Sequence, residues 1–173
     1  MWYPIAFVLP CLAVVIGRGR VRWISAALRI LIALAFLQAV CDRFGFLGPP
    51  GTAGVAWGNF SQFIHYTGVV NPFLPAAVIP ALAVLATICE TVFGLTLLLG
   101  IRIRWAAAGS AVLLFLFATA MTIAGLSQFS YGVYMMCAGA AVLSVTDASF
   151  LSFDAAFKAK PREEVTAGGS GRA

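Results

Sequence analysis

Four long stretches of this chain are apolar almost without a break, and the polar positions fall at their ends. The first runs from Ile24 to Arg43 and opens after Trp23. The second runs from about Pro75 to Gly100, with Pro80 near its start. The third covers Arg104–Leu126 and the fourth Ser130–Val145. From Phe44 to Ile101 the only formal charge is Glu90, and from Trp105 to Thr146 there is none. Roughly 20 apolar residues, at about 1.5 Å each along a helix, cross the hydrocarbon core of a bilayer, so these stretches read as spanning helices.

The intervening segments follow other patterns. Phe44–Asn71 begins with Gly45, Gly48, Pro49, Pro50, Gly51 and Gly54, which is turn chemistry, and reads as a loop outside the bilayer. Within it Phe60, Phe63, Ile64 and Thr67 recur at helical spacing. That predicts a short amphipathic helix lying on the membrane or capping the bundle. At the N-terminus, residues 1–17 are apolar but contain Pro4 and Pro10. The stretch is only about 24 Å long as a helix, short for a full span, and reads as a tilted or re-entrant anchor. Residues 148–173 interleave Phe150, Leu151, Phe153 and Phe157 with Ser152, Asp154 and Lys158, then end in a Gly-containing tail. They read as an interfacial segment followed by a flexible end. The expectation is an all-α integral membrane four-helix bundle over residues 18–147. It carries an additional N-terminal hydrophobic helix and an outer amphipathic loop helix.

Composition supports this. The 173 residues are 62% hydrophobic and 10% charged, with mean hydropathy +0.99. Soluble domains carry about 25% charged residues, so a soluble enzyme and a disordered chain are both excluded. The net charge of +5 comes from clusters at helix ends: Arg18, Arg20 and Arg22; Arg102 and Arg104; Lys158, Lys160 and Arg162. All three fall on one side if the four helices alternate. The excess of Lys and Arg assigns that side, and the C-terminus, to the cytoplasm of a bacterial-type inner membrane. No aromatic residues interleave with these clusters as in nucleic-acid binders, and nucleic acid is excluded as a partner. RVRWISAA, starting at Arg20, echoes RIRWAAAG, starting at Arg102. A parallel repeat and convergence on the same helix-start chemistry both account for it.

Glu90 is the sharpest candidate for chemistry. It lies ten residues from Gly100, about 15 Å along the helix and near mid-bilayer. A charged carboxylate there costs roughly 2.5–3.5 kcal/mol, so it must face the protein interior, pair with a cation or stay protonated. Thr87 and Gly94 share its helical face. Arg29, about 9 Å inside Trp23, either reaches toward Glu90 or snorkels back to the interface. Gln38 and Asp42 are spaced i, i+4 further along the same helix, with Arg43 beside Asp42. The last two read as solvated helix-end charges or as the rim of a polar site. His65, the only histidine, is either a surface imidazole or a hydrogen-bond partner for a quinone headgroup. A lone histidine makes no multi-histidine metal site, and nucleotide-binding, hydrolase and zinc-protease motifs are missing. The expectation is therefore no tightly bound cofactor. Of Cys11, Cys41, Cys89 and Cys137, none forms a C-x-x-C pair. Only Cys41, near the outer end of its helix, lies within reach of an oxidising compartment.

Several short stretches resemble the DoxX/DoxD-like family of small four-helix membrane proteins. They are Leu28-Arg29-Ile30-Leu31, Asp42-Arg43-Phe44 and, above all, the run ETVFGLTLLLGIRIR from Glu90 to Arg104. Ala118-Thr119-Ala120-Met121-Thr122 and Asp147 add to the likeness, which covers residues 24 to 155. The resemblance implies four transmembrane helices with Arg29, Arg43 and Glu90 as the polar positions. It also implies an association with thiosulfate:quinone oxidoreduction or with oxidoreductase complexes that handle thiol stress. Three functions stay open on this reading. The first is a quinone-linked redox subunit using a buried site of Glu90 and Arg29. The second is a non-catalytic anchor or assembly factor for a redox enzyme. The third is a small proton-coupled transporter. The partners these readings call for are the lipid bilayer, a redox-enzyme subunit and a second copy of the chain.

Overall fold

The computed structural model describes residues 8, 9, 12, 13, 16, 22–146 and 152. The anchor expected over residues 1–17 and the interfacial segment and tail expected over 148–173 lie outside the described residues, apart from those isolated positions. Among the described residues all regular structure is helical. The order is α1 (Arg22–Arg43), α2 (Phe60–Val70), α3 (Ile79–Leu99), α4 (Ile103–Ile123) and α5 (Ser127–Val145), with a 3-10 turn at Ala76–Val78 leading into α3. Helices α1, α3, α4 and α5 are each long and apolar enough to cross a membrane. The chain is a multi-pass integral membrane protein, and α2 is the helix of the loop that joins α1 to α3.

Two boundaries differ from the sequence expectation. The α3 helix proper begins at Ile79, after the 3-10 turn, with Pro80 in its first turn where no intrahelical N–H is needed. The α4 helix stops at Ile123, and α5 starts at Ser127 rather than at Ser130. Ser130 lies one turn inside α5, where its hydroxyl sits 3.0 Å from that of Thr122 on α4.

The helices pack most extensively as two antiparallel pairs, α1 with α3 and α4 with α5. Gly94 sets the first contact. A side chain there would begin 3.1 Å from Leu37 and 3.3 Å from Phe36, so the missing Cβ lets α1 approach closely. On the second pair the Cys137 thiol donates to the Ala111 carbonyl at 3.2 Å. Two apolar clusters form the interior. One joins Leu28, Ile32 and Phe36 of α1 to Leu97, Ala107, Leu114 and Leu143. The other joins Phe63 of α2 to Ala83 and Ala86 of α3. Outward-facing side chains such as Leu85, Val112 and Phe115 are apolar, as acyl chains require. Thr87, Thr91, Ser110, Thr119 and Thr122 each return a hydroxyl to the carbonyl four residues back, which satisfies those groups within their own helix.

Candidate functional site

The last turn of α1 organises the polar centre. Asp42 and Arg43 are not solvated helix-end charges: they are 4% and 2% exposed. The Asp42 carboxylate accepts backbone N–H groups from Ala56 at 2.8 Å, Trp57 at 3.3 Å and Gly58 at 2.9 Å. Three consecutive amides thus stabilise one buried carboxylate and fold the loop onto the end of α1. Gly58 has φ +67°, and a side chain there would run into Pro50, so the loop can close this tightly only with glycine.

That closure places Trp57 against Arg43. The Arg43 Nη2 lies 2.7 Å from each carboxylate oxygen of Glu90, hydrogen-bonded to Oε1. Its Nη1 donates to Thr87 Oγ1 at 3.0 Å. The guanidinium plane sits 3.7 Å from the ring centre of Phe63 and 5.2 Å from that of Trp57. Phe63 is held there by α2, whose start is capped by Asn59 accepting from the Gln62 amide at 2.9 Å. Arg43, Glu90 and Thr87 form a net-neutral cluster between the two apolar clusters, closed on its outer side by aromatic rings. A buried ion pair recovers little net energy, because desolving two charges offsets most of their attraction. What it fixes is geometry.

The cation beside Glu90 is therefore Arg43, where the sequence offered Arg29. Register is the reason. Gly94 meets Leu37 and Phe36, so one turn outward Glu90 faces the end of α1. Arg29 lies two turns inward of Phe36. Its guanidinium packs against Gly100, about 15 Å along α3 from Glu90, beyond the reach of an arginine side chain. Gly100 takes the left-handed φ of +73° that ends α3 and leaves room for that guanidinium. Gln38 does not join the cluster either. It is exposed on the outward face of α1, alongside Leu31 and Leu34. Cys41 and Cys89 are half-buried free thiols.

His65 is exposed and lines a cleft of about 620 Å³ between the outer loop, α2 and the α4–α5 turn. Trp57 forms one wall, 5.8 Å from the Tyr66 ring, so a single indole separates the cleft from Arg43. Val69, Met121, Leu126 and Phe129 supply apolar surface, and Gln62, His65 and Tyr66 supply the polar groups. Among the described residues no Asp, Glu, Lys or Arg lines the cleft. Burial pushes the Tyr66 phenol above its ordinary value, so at physiological pH it is a hydrogen-bond donor. The sequence reading missed the roles of Trp57, Phe63 and Tyr66. Their only local signal was an aromatic spacing that a membrane-surface helix shares.

Among the described residues no group of three His, Cys, Asp or Glu side chains gathers to hold a metal ion. Comparison with family models, with curated proteins and with solved structures finds no match to this chain.

Proposed function

We propose that the chain is an integral membrane subunit of quinone-linked redox metabolism of the thiosulfate- or thiol-oxidising type. In this reading the Arg43–Glu90 pair and the adjoining cleft form its working site. The N-terminal resemblance around Leu28–Leu31 and the run from Glu90 to Arg104 support the class. The single observation that carries the reading is the placement of a charged pair, sealed in the bundle, one aromatic ring away from an uncharged aromatic cleft at the outer rim. Ionisable groups inside membrane proteins are costly and rare, and they concentrate at functional sites. The cleft lies within the usual size of about 300–1,000 Å³ for small-molecule sites. Its neutral lining suits a flat, uncharged lipophile whose carbonyl oxygen accepts from Tyr66 or His65.

The chemistry divides between this chain and a partner. Joining two thiosulfate ions, or two thiolates, through an S–S bond releases two electrons. A quinone takes up those two electrons with two protons to give the quinol. A redox partner supplies the electrons, and Glu90 passes protons. Protonation of Glu90 loosens its hold on Arg43, and deprotonation restores it. The site then lies on the outer side of a bacterial-type inner membrane, with the turn at Gly100–Arg102 and the C-terminus in the cytoplasm.

The test is quinone-dependent thiosulfate oxidation in native membranes at matched protein level, with decylubiquinone or menadione as acceptor. Glu90→Gln is expected to lower turnover about 100-fold, the lower end of what a positioned acid–base group contributes. Unchanged turnover in a folded Glu90→Gln chain removes the proton role. A second reading, a non-catalytic anchor or assembly factor, is favoured by the engagement of Arg43 within its own chain by Glu90, Thr87 and the rings of Phe63 and Trp57. It predicts full turnover in Glu90→Gln, with reduced co-purification of the redox partner.

A further inference from the structure

The outward stripe of α1 carries a side chain that acyl chains do not match. Ala27, Leu31, Leu34 and Gln38 are exposed at alternating four- and three-residue steps, and the half-buried Cys41 continues the series. A stripe with this spacing is ordinary on a lipid-facing helix: on α3 it reads Leu85, Ile88, Val92 and Leu95, all apolar. On α1 it contains a primary amide, roughly 7.5 Å inside the outer end of the helix. Thr122, also exposed, returns its hydroxyl to the Ala118 carbonyl at 2.7 Å. Gln38 has no such recourse and makes no hydrogen bond with any described residue.

We propose that this stripe is the contact face for a second copy of the chain, with the two Gln38 amides paired across a two-fold axis. A primary amide has both donors and acceptors, so its best match within an apolar span is an identical amide approaching from the opposite side. A two-fold contact brings each residue of the stripe opposite its own counterpart or a near neighbour. Leu31 and Leu34 interdigitate below the amide pair, and Cys41 lies one turn outward of it. The pair leaves the Arg43–Glu90 cluster and the outer cleft untouched, since both face away from this stripe. This inference does not depend on the redox reading.

Cys41 provides the test. In membranes carrying the chain with Cys11, Cys89 and Cys137 changed to Ser, copper–phenanthroline oxidation is expected to give a disulfide-linked species at twice the 18.2 kDa chain mass. A cysteine placed at Val92 instead of Cys41 should not crosslink. Single-molecule photobleaching in bilayers should show two-step traces for the unmodified chain. Gln38→Leu should weaken association roughly three- to thirtyfold, the range for one interhelical polar contact in a membrane. Gln38→Asn, which keeps the amide, should retain part of it. Because Gln38 is exposed, neither change disturbs the interior, and a helical circular dichroism spectrum checks this. Single-step bleaching of the unmodified chain overturns the proposal. So does a dimer that Cys41 fails to crosslink, or one that Gln38→Leu leaves undiminished.

Discussion

Two neighbouring residues of opposite charge divide the work at the end of α1. Asp42 turns toward the loop and Arg43 toward the bundle. Asp42→Ala deprives three backbone amides of a charged acceptor and should cost about 1.5–3 kcal/mol. Faster hydrogen exchange at Ala56, Trp57 and Gly58 than elsewhere in the loop is the accompanying signature. For Arg43 and Glu90 the single and double changes should diverge. Either Arg43→Met or Glu90→Leu leaves one buried charge unpaired and should destabilise by about 3–5 kcal/mol. The double change removes both charges and should restore most of that loss, which unfolding of all four chains in one detergent would measure. If the double variant is as unstable as the sum of the singles, the two side chains are not coupled. Tyr66 gives a pH signature. Burial raises its folded value above that of the unfolded chain, so its contribution to stability is intact below about pH 10 and lost as pH climbs through the folded value. Tyrosinate absorbance should therefore show the component that Tyr66→Phe removes titrating above the ordinary tyrosine value of about 10.

At the scale of elements, the α1–α3 contact depends on an absent side chain. Gly94→Leu forces a branched group into space already held by Leu37 and Phe36 and should cost about 1–3 kcal/mol or separate the helices. Because Glu90 sits one turn away, the same change should also lengthen the Arg43–Glu90 contact, visible as faster exchange of the Arg43 guanidinium protons. This dependence also marks what the sequence could and could not disclose. The spanning helices were legible because a long uncharged run has few other solutions. The α2 helix was legible from Phe60, Phe63, Ile64 and Thr67. The partner of Glu90 was not, because Arg29 and Arg43 lie on the same helix and only the register against α3 decides between them. One glycine facing Leu37 sets that register. The role of Asp42 was hidden for a related reason: its acceptor work depends on the path of a loop whose Gly and Pro residues announce turns but not their direction. On the sequence alone Gln38 reads as a neighbour of the polar centre, because i, i+4 spacing places it near Asp42. The last turn of α1, however, rotates Asp42 and Arg43 inward while Gln38 stays outside.

At the scale of the molecule, the charges of the described residues are segregated. The cations at the α3–α4 turn, Arg102 and Arg104, are exposed, whereas Arg43 at the opposite end is buried and paired. An excess of free basic charge on one face orients the bundle. In intact cells a membrane-impermeant maleimide should label Gly51→Cys in a chain otherwise free of cysteine, and should reach Arg102→Cys only after the membrane is opened. The reverse pattern would invert the orientation and place the cleft in the cytoplasm.

The spacing of the ion pair also bears on biosynthesis. Arg43 and Glu90 are 47 positions apart, so at roughly 5–20 residues per second the ribosome needs about 2–10 s to make the acid after the base. Through that interval Arg43 waits without the carboxylate that it pairs with in the folded bundle. The ion pair can close only once α3 has been made, which ties the sealing of this end of α1 to the emergence of a helix two elements later.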